Sequence, residues 1–149
     1  MGDGSSVKET VIIKKLSDET INNSAALQDD NELVVYLVAN EYYAFEVNML
    51  LDVNTGGFKA EINGPAKNFL GYGGMGAMLT SVMASYYDSN YNLEVVALAP
   101  GGPVQGFAVM KGVIRLTTAG NLIVRWAQNV AVANNSILKA GSYMMVWRI

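Results

Sequence analysis

The side chains able to do chemistry in this chain are carboxylates, lysines, tyrosines and hydroxyls, because histidine and cysteine are both absent. That removes Ser-His-Asp and Cys-His nucleophile pairs, imidazole bases and His- or Cys-ligated zinc. Gly71-Tyr72-Gly73-Gly74-Met75-Gly76 matches the G-x-G-x-x-G spelling of a dinucleotide-binding turn, and Glu94 lies downstream as a candidate ribose acid. Such a turn needs a strand before it, a helix after it and parallel βαβ repeats. Ala66-Lys67-Asn68 makes a poor strand, and a mobile glycine loop accounts for the same residues. Asp29, Asp30 and Glu32 have the oxygens that calcium takes, but not the EF-hand spacing. A solvated turn before a strand explains them too. Glu46, Asp52, Glu61 and Glu94 supply acids for a glycosidase pair, yet each falls on a patterned strand whose exposed face accounts for it. The expectation is no catalytic, metal or cofactor-binding residue and no small-molecule substrate.

These side chains sit in 149 residues, the length of one ordinary domain. Charged residues are only 15%, against a typical ~25%, which excludes a disordered, strongly solvated chain. Net charge is −3 and the basic residues are scattered, so nucleic acid is not an expected partner. No apolar run approaches the ~18 residues of a membrane-spanning helix, and no membrane partner is expected. The opening Met-Gly-Asp-Gly-Ser-Ser reads as a flexible lead-in without a secretory signal. A mean hydropathy of +0.21 points to apolar surface shared between subunits.

From Glu32 onward the apolar pattern has period two, the period of a strand. Tyr43, Phe45, Val47, Met49 and Leu51 share one face; Phe58, Ala60 and Ile62 share another; Leu122, Val124 and Trp126 a third. At the C-terminus Tyr143, Met145, Trp147 and Ile149 oppose Ser142, Met144, Val146 and Arg148, with Trp147 read as an inward position. Asn54-Thr55-Gly56-Gly57 and Ala119-Gly120-Asn121 are expected to close hairpins. The segment Met75–Tyr87 fits a helix face or a strand, and is read as strand. The fold expected is all-β: an antiparallel β-sandwich, jelly-roll-like, with a short N-terminal arm. Residues 1–31 would be the arm and first strand, and 32–149 the sandwich domain. Val11-Ile12-Ile13-Lys14-Lys15-Leu16 forms a short strand that pairs in its own sheet or reaches a neighbour.

Gly112-Val113-Ile114-Arg115, Thr118 to Leu122, Arg125-Trp126-Ala127-Gln128-Asn129, Lys139 to Tyr143 and Trp147-Arg148-Ile149 together resemble a module in structural proteins of tailed bacteriophages. The resemblance runs from about Val7 to the end, is best over Gly112–Ile149 and weakest over Lys67–Tyr91. It implies a jelly-roll sandwich that assembles as a trimer on the virion, either as a capsid decoration (cement) protein or as a domain of tail and fibre proteins.

The expectation is therefore a non-enzymatic decoration protein, made in the host cytoplasm, that binds the major capsid protein on the outer capsid as a homotrimer. Val11, Ile12, Ile13, Lys14, Lys15 and Leu16 would touch the capsid. Tyr72, Met75, Tyr87, Tyr91, Trp126, Gln128, Tyr143 and Trp147 are candidates for a subunit interface or partner loop, with core packing the competing role for Trp126 and Trp147. Gln128 and Ser142 would satisfy backbone groups at a strand end or at the threefold axis. The alternatives are a tail-fibre or receptor-binding module that recognises host-surface glycan, and a small carboxylate hydrolase.

Overall fold

Strands that bury one face must stack that face on another sheet. The structure, a computed structural model, describes residues 9–77, 83–86, 95–97 and 104–149. Regular secondary structure among the described residues is entirely β. The strands are β1 (Thr10–Lys14), β2 (Glu19–Ile21), β3 (Gln28–Leu37), β4 (Tyr42–Val53), β5 (Phe58–Asn63), β6 (Lys67–Ala77), β7 (Met83–Tyr86), β8 (Val95–Ala97), β9 (Val104–Leu116), β10 (Gly120–Ala127), β11 (Ser136–Leu138) and β12 (Tyr143–Arg148). Among the described residues, an eight-stranded sheet runs β1-β12-β4-β9-β6-β7, with β11 joining β2 to β4. A four-stranded sheet runs β3-β10-β5-β8. The pairings are antiparallel.

One core lies between the sheets. The larger sheet contributes Phe45, Val47, Met49 and Leu51 of β4, Met110 and Ile114 of β9, and Met144 and Val146 of β12. The smaller sheet answers with Leu33 and Val35 of β3, Phe58 and Ile62 of β5, and Leu122, Val124 and Trp126 of β10. The Trp126 ring stacks on Phe58 at 5.8 Å. Each such aliphatic or Phe side chain contributes about 1.5–3 kcal/mol by leaving water. The fold is the expected β-sandwich.

Several local expectations are overturned. The segment Asn54–Gly57 does form a tight turn, with Gly57 N–H bonded to Asn54 O at 2.9 Å, but it is not a hairpin. It carries the chain from β4 in one sheet to β5 in the other, and the β9–β10 connection crosses in the same way. Hairpin partners point their apolar residues to the same side, whereas β4 and β5 must face each other across the core. At the C-terminus Met144 and Val146 are the buried positions, while Tyr143 and Trp147 are only half-buried on the outer face. Ser142 sets this phase. Its hydroxyl points inward, accepts Leu50 N–H at 2.9 Å and donates to Lys139 O at 2.8 Å, so the alternation that follows buries the even positions.

The glycine segment 71–76 is neither a nucleotide turn nor a loop. It is the middle of β6, with Gly71 opposite Val113, Gly73 opposite both Lys111 and Ser85, and Gly74 opposite Met110 and Ala84. Ladders on both sides outweigh the roughly 0.5–1 kcal/mol that each strand glycine costs. The strand expected over Met75–Tyr87 holds for Met75–Ala77 and for Met83–Tyr86. The acidic stretch 29–32 is also not a turn but part of β3, and Asp30 is buried. Glu61 is buried too, because the opposed residue on β10 is Arg125, whose Nη1 lies 3.1 Å from Glu61 Oε1.

Candidate functional site

The expected capsid-contact segment is folded onto the sandwich rather than extended from it. β1 pairs with β12 in a regular register, from Thr10 opposite Trp147 to Lys14 opposite Tyr143, and forms one edge of the larger sheet. Ile13 turns inward and packs on the core. Ile12 is 62% exposed, Leu16 is 78% exposed, and Val11 and Lys14 are also exposed.

Lys15 departs from the expectation, because it is 1% exposed and cannot reach a partner. Its backbone is tied to the larger sheet: Lys15 N–H donates to Ser142 O at 2.7 Å and Gly141 N–H donates to Lys15 O at 2.9 Å. Its Nζ bridges the sheets, lying 2.8 Å from Asp30 Oδ2 and 3.8 Å from Glu32 Oε1 on β3 of the smaller sheet and 2.9 Å from Glu19 Oε2 on β2 of the larger one. Two of the carboxylates that resembled calcium ligands, Asp30 and Glu32, thus face an ammonium, while Asp29 pairs with Arg125 at 3.0 Å. Burial by itself pushes the Lys15 pKa down, but the Asp30 and Glu19 carboxylates outweigh it and hold the pKa above 10.5. Asp30 Oδ1 also accepts the N–H groups of Glu32 and Leu33.

The loop after Lys15 is pinned as well. Glu32 accepts Leu16 N–H at 2.6 Å and both the N–H and hydroxyl of Ser17, and the Ser17 hydroxyl is the main reason its pKa lies below the usual value. Asp18 accepts Ala140 N–H at 2.8 Å and pairs with Lys139 at 2.9 Å; Lys139 first, then that amide, holds its pKa low. Charged side chains therefore stitch the arm to both sheets.

Trp126 and Gln128, expected at a subunit interface, lie inside the chain's own core. Gln128 is buried because it closes a loop. Its Oε1 accepts Ser24 N–H at 3.1 Å and Val132 N–H at 3.2 Å, and its Nε2 donates to Asn134 O at 2.6 Å. Tyr143 and Trp147 remain on the surface of the larger sheet. Tyr72 and Met75 are placed by backbone register on β6, opposite Gly112 and Val109 of β9. Tyr87 and Tyr91 lie outside the described residues.

The residues that the sequence did not mark are Leu50 and Phe107. They oppose each other on β4 and β9, both partly exposed on the outer face, and the next pair on that face is Asp52 opposite Gln105. With Lys139 and Ala140 they line an open cleft of about 450 Å³. Lys139 reaches Asp52 at 3.3 Å as well as Asp18. The sequence signal was available: Leu50 and Phe107 interrupt the polar face of otherwise alternating strands.

No family model matches the chain. No curated protein matches it either. Among solved structures it is similar to chains from infectious bursal disease virus of the Gx strain (8% identity, TM-score 0.27) and the Gt strain (8%, TM-score 0.25). A third is the D431N mutant VP2 protein of that virus in derived T=1 particles (10%, TM-score 0.23). Each alignment covers 99% of this chain, which spans 42%, 42% and 40% of the respective solved chains. Scores this low do not mark a shared fold, and nothing is transferred from these chains.

Proposed function

We propose that this protein is a non-enzymatic virion structural protein of the tailed-bacteriophage type: a decoration protein on the outer capsid surface, acting as a homotrimer bound to the major capsid protein. The observation that carries this reading is what the resembling segment does. Gly112–Ile149 supplies β10, β11, β12 and the end of β9, and its polar motif residues are joints of the sandwich. Gln128 closes the 128–134 loop, Ser142 ties β12 to β4, and Gly141 takes a φ of 93° at the turn between β11 and β12. A motif spent on joints suits a protein whose task is to hold a shape.

Shell contact in this reading falls to exposed side chains of the arm, above all Ile12 and Leu16, and not to Lys15. The half-buried Tyr143 and Trp147 on the outer face suit contacts between subunits, as apolar surface does in closed assemblies. Each contact need contribute little, because many copies on one shell compound their affinities. The test uses the double variant Ile12→Ser/Leu16→Ser, which leaves Lys15 in place. Light scattering should give the variant as a trimer of the 16.0 kDa chain. Sedimentation with undecorated capsids should show binding of the variant reduced at least about tenfold. Undiminished binding, or a solitary monomer, would refute the reading.

One observation favours a second reading, a glycan-binding module. The Leu50–Phe107 pair beside the Asp52–Gln105 pair offers an apolar platform with a polar rim, the chemistry that suits a sugar ring. Reproducible binding on a glycan array that Phe107→Ala abolishes would favour it.

A further inference from the structure

From the outer edge of β1, which has no strand partner other than β12 among the described residues, we infer that two copies of this chain pair edge to edge, antiparallel, about a twofold axis at Ile12. An edge strand presents unpaired N–H and C=O groups, and proteins guard such edges with charges, inward-pointing ionised residues or bulges. β3, an edge of the smaller sheet, is guarded in all these ways. It carries Asp29, Asp30 and Glu32, points Asp30 inward, and meets β10 with a register shift between Ile123 and Arg125. β1 has none of this. Thr10–Lys14 pairs with β12 at every position without a shift, and its single charge, Lys14, stands at the end.

The occupant is a second copy because the strand is self-complementary. Reversed about Ile12, it places Thr10 opposite Lys14, Val11 opposite Ile13, and Ile12 opposite itself, so no like charges meet and apolar residues face apolar ones. The row that Ile12 shares with Met145, its partner on β12, becomes continuous with the same row of the second copy. The same register carries each exposed Leu16 towards the end of its neighbour where Val11, Tyr36 and Trp147 border an open cleft of about 380 Å³. The contact is isologous and closes on itself, so it leaves no edge for further growth. A threefold cannot supply it; between trimers it would act as a link.

The chain has no cysteine, which makes the geometry directly readable. Single cysteines are placed at Thr10, Ile12 and Lys14, each exposed, and the purified proteins are oxidised mildly and run without reductant. Ile12→Cys should give a covalent dimer by itself. Thr10→Cys and Lys14→Cys should cross-link efficiently only when mixed. In parallel, Ile12→Lys should halve the mass measured by light scattering while the circular dichroism spectrum is kept. No cross-link at Ile12, cross-linking at all positions alike, or an Ile12 cross-link without the mixed pair would overturn the inference, the last pattern marking a different axis. These readouts need no capsid, so they succeed or fail independently of the shell-binding reading.

Discussion

Lys15 Nζ lies 2.8 Å from Asp30 Oδ2 with both side chains shut off from solvent, and this pair joins the two sheets at the foot of β1. Removing one member of such a pair strands the other charge, at a typical cost of about 3–5 kcal/mol. Lys15→Met should therefore lower the unfolding free energy by that amount in a denaturant titration. Lys15→Met/Asp30→Asn should recover a large part of it, since an Asn oxygen can still accept the Glu32 and Leu33 amides. A double variant no better than the single one would show that the pair is not the source of the loss. Deleting the arm through Leu16 would incur the same penalty, and so cannot isolate its binding role.

The pH dependence follows from Lys15 and from three carboxylates held by hydrogen bonds or ion pairs. Glu32, Asp18 and Glu46 all have carboxyl pKa values held low: by the Ser17 hydroxyl, by Lys139 and by the Asn48 amide respectively, before other contributions. A depressed carboxylate contributes stability that is present above its unfolded value, 3.8 for Asp and 4.5 for Glu, and is lost as pH falls through the folded value. Lys15 has the opposite sign. Its stabilisation is present below 10.5 and disappears as pH rises through its higher folded value. With no histidine to titrate between them, the melting temperature should be flat from about pH 6 to 9. It should fall below about pH 4.5. A marked slope near neutral pH would contradict this assignment.

The two tryptophans should separate cleanly. Trp126→Ala empties a wholly buried site against Phe58 and should cost about 3–5 kcal/mol. Trp147→Ala removes a half-buried ring from the outer face and should cost distinctly less. Equal losses by chemical denaturation would return Trp147 to the core.

Gln128 is predicted to be a structural joint. Gln128→Leu keeps the volume but leaves the Ser24 and Val132 amides and the Asn134 carbonyl without their partner. These bonds are only partly buried, and a typical intramolecular hydrogen bond contributes about 0.5–1.5 kcal/mol, so a loss of about that size is expected. A variant as stable as the parent would remove the joint role from the motif.

At Gly141 the φ of 93° places any other residue in a strained conformation, and an added Cβ would sit 3.4 Å from Leu50 Cδ1. Gly141→Ala should cost about 1–2 kcal/mol. An unchanged melting curve would show that the turn relaxes freely.

Much of the sandwich is legible in the order of residues. The inward rows Tyr43 to Leu51, Phe58 to Ile62 and Leu122 to Trp126 follow from period two alone, because a strand's alternate side chains fall on opposite faces. The tight turn at Asn54–Gly57 is equally local, since Asn54 Oδ1 accepts Gly56 N–H and Gly57 adopts a φ of 68°. Which strands a turn connects is not local. The same Asn-Gly chemistry serves a hairpin or a crossing between sheets, and only the need to face β5 towards β4 chooses the crossing.

The candidate surface was legible in part for the same reason. Ile12 and Leu16 could be read as exposed apolar residues of an arm, but Lys15, between charge and solvent by every local rule, is drawn inside by Asp30, fifteen positions away. Its partner comes from another sheet, and a buried charge has no meaning in sequence until its counter-ion is in place. The phase of β12 likewise depended on a bond from Leu50, and the pairing of Leu50 with Phe107 on strands far apart in the chain. Composition and periodicity thus determined the class of fold, its apolar rows and the chemistries that lack their residues. The tertiary structure alone decided which charges are internal, which face of the last strand is core and which edge stands open, because each depends on contacts between residues distant in sequence.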